Sequence, residues 1–329
     1  MKIKDIAREL HLSVSTVSKA LNGGFDISKE TKEQVLEYAK AHGYKSRDER
    51  LKVKNLRRLC FIYDNVNLAN QTNIINPLSL AFSKYARLNN FEVITIPVET
   101  INENYNEFMI TNNFDGAFIA GLNYKSPFLK ELKNATIPAV LYDNNLIGEK
   151  IATINNENIN TISELITILK NLGHTKIGFI NGDKDSFVSN ERFAGYIIGL
   201  TVNNIKFAEK YVYMGDFNER SGFQAAEYFA NTDVTAVVCA CDTIAIGLIN
   251  GLEKCGIKVP QDISVTGYDD LDIARFFKPK LTTIRQDLEL IGERAFYLLT
   301  SMLMNRSSQR IVINGQIIIR ESIAKVNKK

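Results

Sequence analysis

The chain has no run of about eighteen consecutive apolar residues, so it offers no segment suited to crossing a bilayer as a helix. It also lacks an export signal. The opening MKIKDIAREL mixes acids and bases inside an amphipathic pattern, without the continuous apolar block and small-residue cleavage site that secretion requires. A cytoplasmic location with no membrane partner is expected. Cysteine is scarce, and Cys60, Cys239, Cys241 and Cys255 each stand among apolar neighbours, which predicts buried thiols rather than a disulfide framework. Cys239 and Cys241 alternate on a predicted strand, but no second cysteine pair or clustered histidine completes a metal site, and His11, His42 and His174 are far apart. No phosphate-binding loop, dinucleotide fingerprint or nucleophile elbow is present. These absences leave no base and nucleophile pair, so neither an enzyme nor a cofactor is expected.

What remains is an ordinary globular composition, with 45% hydrophobic and 23% charged residues in 329. That length favours a small module joined to a larger one. The net charge of +3 conceals an asymmetry: residues 1–58 hold 14 Lys/Arg against 8 Asp/Glu, which leaves the remainder at −3. A basic end on a near-neutral body suits a polyanionic partner, although a solvated basic segment would give the same balance.

The basic end carries three short helical patterns. Ile3, Ile6, Ala7 and Leu10 recur at helical spacing, and a break follows at Leu10-His11-Leu12-Ser13. Ser13 is placed to cap a second helix over 14–21, with Val17 and Leu21 inward, and Asn22-Gly23-Gly24 stops it. Ser28 caps a third helix that carries Glu30 in its first turn, buries Val35, Leu36 and Ala39, and ends at His42-Gly43. Three short helices with a tight first turn predict a helix-turn-helix unit. From Leu59 the pattern changes. LCFIYD, FEVITIPV, GAFIAGL, PAVLYDN, KIGFING, YVYMGDF, TAVVCACD and ISVTGYDD read as strands separated by helical stretches, which predicts parallel sheets covered on both faces. Two doubly wound lobes fit this many units; an eight-fold barrel is the alternative.

IKDIARELHLSVSTVSKALNG followed by ISKETKEQVLEYAKAHGY resembles the DNA-binding headpiece of the LacI family of bacterial regulators, and LGHTKIGFING, ERFAGY, GDF, VPQDISVTGYDD and PKLTTIRQD extend the likeness through residues 58–322. The resemblance implies an α/β chain with an N-terminal three-helix headpiece (1–44), a basic hinge (45–58) and a periplasmic-binding-protein-like core of two parallel-sheet lobes (59–329). The lobes would comprise about 59–155 with 287–315, and 156–286 with 316–329.

In that family the positions of Val14, Ser15 and Lys19 read base edges, which makes Lys19 the candidate for guanine and Val14 for a thymine methyl. Ser13, Thr16 and Ser18 would hold phosphates, and Asn22, Ser28, Lys32 and Tyr44 complete the expected DNA contacts. Leu51 in KSRDERLKVKNLRR resembles the hinge leucine that wedges into the minor groove, but the usual alanines and proline are missing. A flexible basic linker that only neutralises phosphates is the other reading. For the core, the resemblance implies a cleft in which Arg192 and Asp269 bond a small sugar and Phe217 lies against its face. Asp242 and Gln286 would border that cleft, and the first lobe would contribute Asn65, Asn70, Asn73 and Asp143.

The mechanism this implies is a homodimer on the half-sites of an operator, with affinity set by a sugar that closes the cleft. A corepressed regulator of the same family, a sugar carrier and a sugar-converting enzyme are the rivals. No leucine heptads follow RESIAKVNKK, so pairing of dimers by a C-terminal bundle is not expected.

Overall fold

A computed structural model describes residues 3–21, 27–41, 57–64, 68–304 and 307–326. The chain divides into two compact units, Met1–Arg57 and Arg58–Lys329.

In the first unit, α1 (Ile3–Glu9), α2 (Val14–Leu21) and α3 (Lys29–Ala41) enclose a small core of Ile6, Ala7, Val17, Ala20, Val35 and Ala39, with Leu10, Leu12, Leu21 and Tyr38 packed around it. The turn between α1 and α2 is made by His11 in the left-handed region (φ 52°), where Leu12 N–H returns to Ala7 C=O at 2.9 Å. Ser13 Oγ accepts from Thr16 N–H at 3.0 Å and Ser28 Oγ from Thr31 N–H at 3.2 Å, so each hydroxyl satisfies a donor that its helix cannot. One expectation is corrected. Leu36 is 43% exposed, because the buried face of α3 runs through Val35 and Ala39, one turn apart, and Leu36 lies about 100° round from Val35 and about 60° from Ala39.

The second unit is two parallel sheets. The first has the order β11-β5-β4-β3-β1-β2, from β1 (Arg57–Tyr63), β2 (Phe91–Pro97), β3 (Gly116–Ala120), β4 (Ala139–Tyr142), β5 (Ile151–Asn156) and β11 (Arg310–Ile313). Strand alternation divides its core: Leu59 and Phe61 face α4 (Leu68–Leu88) and α12 (Leu288–Leu303), whereas Cys60 and Ile62 face the layer of α5 (Tyr105–Thr111) and α6 (Pro127–Glu131). The second sheet has the order β7-β6-β8-β9, from β6 (Ile177–Asn181), β7 (Val212–Met214), β8 (Ala236–Cys239) and β9 (Ser264–Thr266). Around it pack α7 (Asn158–Asn171), α8 (Phe187–Val202), α9 (Glu219–Ala230) and α10 (Asp242–Lys254). Helices α9 and α10 meet backbone to backbone: a Cβ on Gly222 or Gly247 would lie about 2 Å from a carbonyl oxygen of the facing helix. A short antiparallel pair, β10 (Thr283–Arg285) with β12 (Gln316–Ile318), and α11 (Asp272–Phe276) complete the second lobe.

Two open sheets exclude the closed barrel. The chain passes between lobes after Asn156, after Arg285 and between Ile313 and Gln316. Cys255 corrects a second expectation: it caps the C-terminus of α10 and is exposed, while the other three cysteines are buried. No helix among the described residues is long and apolar enough to cross a membrane, and none of them group into a metal-binding cluster.

Candidate functional site

In the first unit α2 presents Val14, Ser15 and Lys19 on its exposed side, opposite Val17 and Ala20, and Ser13 lies exposed at its N-terminus. Thr16, Ser18 and Lys32 are half-buried, and Ser28 is exposed at the start of α3. The Ser13 hydroxyl also shares a 2.8 Å bond with that of Thr16, so both are oriented by the helix cap. Asn22, Tyr44 and Leu51 lie outside the described residues.

In the second unit a cavity of about 170 Å³ opens between the lobes. Its walls come from segments that follow the C-terminal ends of parallel strands, where an open α/β sheet presents its crevice. After β3 come Gly121, Leu122 and Asn123, and at the end of β4 Tyr142 and Asp143. The second lobe adds Asp183, Ser186 and Val188 after β6, Phe217 after β7, Cys241 and Thr243 after β8, and Asp269 after β9. Gln286 enters from the crossing that follows β10, and Ile74 and Ile75 from α4.

Arg192, on α8, is 3% exposed. Its Nε donates to Asn158 Oδ1 at 3.1 Å, its Nη1 donates to the Ala240 carbonyl at 2.6 Å, and its guanidinium lies 3.7 Å from the Tyr268 ring centre. Held on three sides, it keeps Nη2 at 3.8 Å from Asp269 Oδ1, close enough for ion pairing but too long for a hydrogen bond. Burial raises the carboxyl of Asp269 to about 6, against the opposing pull of Arg192 and Gln286. Burial likewise raises Asp143 to about 6, with Arg192 and the Asn156 N–H drawing it down. Two carboxylates thus face one guanidinium in a poorly hydrated cleft.

Three non-glycine lining residues sit in the left-handed half of backbone space: Asp143 (φ 50°), Phe217 (φ 66°) and Asp269 (φ 115°). Such conformations cost about 1 to 3 kcal/mol each, and here they aim the side chains at the cavity. Phe217 is further set by Gly182, where any Cβ would lie 2.1 Å from its ring, so the aromatic face rests directly on the backbone after β6.

The structure therefore brings Asp143, Arg192, Phe217, Asp269 and Gln286 together around one cavity. Asn70 and Asn73 lie on α4, but their side chains, like all of Asn65, fall outside the described residues. Asp242 is a correction. It is fully buried, accepts from Thr283 Oγ1 at 2.5 Å and from Leu271 N–H at 2.8 Å, and so fastens the loop behind Asp269 instead of facing the cleft. Cys241, one residue earlier, takes the lining position. Asn123, Tyr142, Asp183, Ser186 and Thr243 were not singled out from sequence. Their signal was positional, since each follows the end of a strand.

A helix-turn-helix unit and a two-lobed cleft in one chain are the working parts of a ligand-controlled transcription regulator. Residues 2–46 match the family described as bacterial regulatory proteins, lacI family, and residues 166–323 match the periplasmic binding protein-like domain. The HTH-type transcriptional repressor PurR of Mannheimia succiniciproducens is 26% identical over 334 residues, covering 98% of this chain and 99% of the relative. PurR of Salmonella arizonae is 29% identical over 340 residues, covering 98% and 96%. Among solved structures, a complex of the transcriptional regulator CelR with cellobiose superposes with TM-score 0.73 at 24% identity, covering 98% of this chain and 99% of the other. A LacI family regulator from Enterococcus faecium with bound ribose gives 0.70 at 21%, covering 82% and 100%. Residues 2–46 thus carry the DNA-binding module of the lacI family, and the chain as a whole is similar to DNA-binding transcriptional repressors of that family rather than to enzymes.

Proposed function

We propose that the protein is a cytoplasmic, homodimeric repressor whose affinity for its operator is set by a small neutral sugar bound in the cleft. The observation that carries this reading is the arrangement of Asp143 and Asp269 about Arg192, with the Phe217 ring forming an adjoining wall. Carboxylates accept from hydroxyls, a guanidinium donates to them, and an aromatic face covers the C–H side of a sugar ring. Asp143, Asp183 and Asp269 outnumber Arg192, so a phosphorylated or carboxylated sugar would meet net repulsion.

On the DNA side, Val14, Ser15 and Lys19 read bases, while Ser13, Thr16, Ser18, Ser28 and Lys32 hold the backbone. Effector binding favours one arrangement of the lobes and thereby changes how well the headpieces hold DNA.

The test titrates neutral monosaccharides, cellobiose and the corresponding sugar phosphates against the full chain by calorimetry, and repeats each on the chain bound to its upstream DNA. A neutral sugar that binds and alters DNA affinity is expected. Binding of the phosphates alone would overturn the choice of effector, and binding without any effect on DNA would overturn the coupling.

A further inference from the structure

Along one wall of the cavity, the crossings between the lobes are tied to one another by side-chain hydrogen bonds. Asn156 ends β5 at the first crossing, and Gln286 stands at the second. Asn156 Nδ2 donates to Gln286 Oε1 at 2.6 Å and to the Tyr142 hydroxyl at 2.7 Å, and that hydroxyl in turn donates to Gln286 Oε1 in a short bond. Gln286 Nε2 then donates to Asp269 Oδ1 at 2.5 Å. The cluster therefore runs from Tyr142, on the first lobe's sheet, through both crossings to Asp269, on the second lobe. The cluster is largely buried: Tyr142, Asn156 and Gln286 are 6%, 1% and 7% exposed. A rotation of one lobe against the other must stretch or exchange at least one of these bonds, and for groups this deeply buried a lost partner is costly.

One atom shows that the cluster is not at rest in a fully satisfied state. Asn156 Oδ1 is buried and has no hydrogen-bond partner among the described residues. An orphaned buried acceptor is costly, so this amide is held here by its nitrogen alone. We infer that Tyr142, Asn156 and Gln286 form a hinge lock: positioning residues that fix the angle between the lobes and transmit the state of Asp269 to both crossings. The inference rests on the cleft reading only for the role of Asp269; the lock itself operates in the effector-free chain. The angle between the lobes is measurable without knowing the effector.

The experiment uses the full chain with Cys255→Ser and spin labels on cysteines introduced at the exposed Lys133 and Lys206, one on each lobe, diluted with unlabelled protein. Pulsed dipolar spectroscopy gives the distance distribution between lobes. The unmutated lock should give one narrow population. Tyr142→Phe, which removes a single oxygen, and Gln286→Met, which keeps length and flexibility, should each shift the ratio of lobe arrangements roughly 5- to 30-fold, the change produced by about 1 to 2 kcal/mol. Circular dichroism identifies the variants that fold, and Tyr142→Phe is the variant least able to prevent folding. A distribution that superposes on the parent in a folded Tyr142→Phe chain overturns the lock. Failure to find a sugar effector leaves this measurement unaffected, so the two readings fail separately.

Discussion

Acidification through pH 6 should weaken effector binding while stabilising the empty fold. Asp143 and Asp269 each titrate near 6 in the empty cleft because burial disfavours their charged forms. The groups facing them are Arg192, which opposes the rise, and Glu191, which adds to it at Asp143. A sugar hydroxyl that donates to either carboxylate favours the ionised form, so binding lowers its pKa and releases protons. A group near 6 is about nine-tenths ionised at pH 7 and about one-tenth at pH 5; each carboxylate therefore takes roughly a factor of ten, or about 1.4 kcal/mol, from the affinity over that interval. The sign for folding is the reverse. A carboxyl raised above its unfolded value binds its proton more tightly in the native state, so its contribution to stability is present below about pH 4 and lost as pH rises toward 6. Calorimetry at pH 5, 6 and 7, in two buffers of different ionisation enthalpy, reads the affinity and the protons released. About one proton in all should leave at pH 6. An affinity that stays constant from pH 7 to 5 with no proton release would refute the argument that these carboxylates receive the ligand.

Asp269→Ala removes an acceptor and the acidic counterpart of Arg192, and should cost about 2 to 4 kcal/mol of effector affinity; parent-like calorimetry would show that the cleft has been misplaced. Lys19→Ala should lose about 1 to 3 kcal/mol on the operator and little on random DNA, and equal losses in a filter-binding comparison would reduce Lys19 to a phosphate contact. Deleting residues 1–58 should abolish DNA binding that weakens steeply with salt, so a truncated core that still shifts operator DNA would contradict the division of labour. Asp270, its carboxylate wholly buried against Arg285 and Arg320 at 2.6 Å and Arg275 at 3.2 Å, should cost about 3 to 5 kcal/mol in chemical denaturation when replaced by Asn, since three guanidiniums lose their shared anion.

Periodicity revealed what is long or repeated. The eight apolar runs named from sequence all contain strands; most are buried on both faces and so apolar throughout, which sets them apart from amphipathic neighbours, while β2 and β7 are edge strands with no fully buried residue. β5 escaped because its run, IATINN, ends in asparagines. Those asparagines are where the chain turns to the other lobe, and Asn156 has a reason to be there that only three-dimensional neighbours reveal. β10, β11 and β12, three or four residues long, were not set apart from sequence. The helix over Leu288–Leu303 carried a legible stripe of Ile291, Ala295, Leu298, Leu299 and Met302 but was not set apart.

Arg192 and Asp269 were readable as a pair because both match charged positions that the family resemblance assigns to ligand contact, and they stand 3.8 Å apart. Asp242 failed for a reason of phase. It opens α10, where a carboxylate favours the helix N-terminus and turns inward to Thr283 and Leu271, while the cap residue before it, Cys241, faces the cavity. Apolar pattern identifies which segments reach the cleft, but a one-residue rotation at a strand end decides which side chain enters it. That rotation is set by backbone angles such as φ 115° at Asp269, which no propensity scale favours and which persist because Gln286, Ile284 and the buried Asp242 hold the loop from three sides. The residues that aim the site are thus drawn from the same crossings that set the lobe angle, so a contact made in the cleft bears directly on the geometry between the lobes.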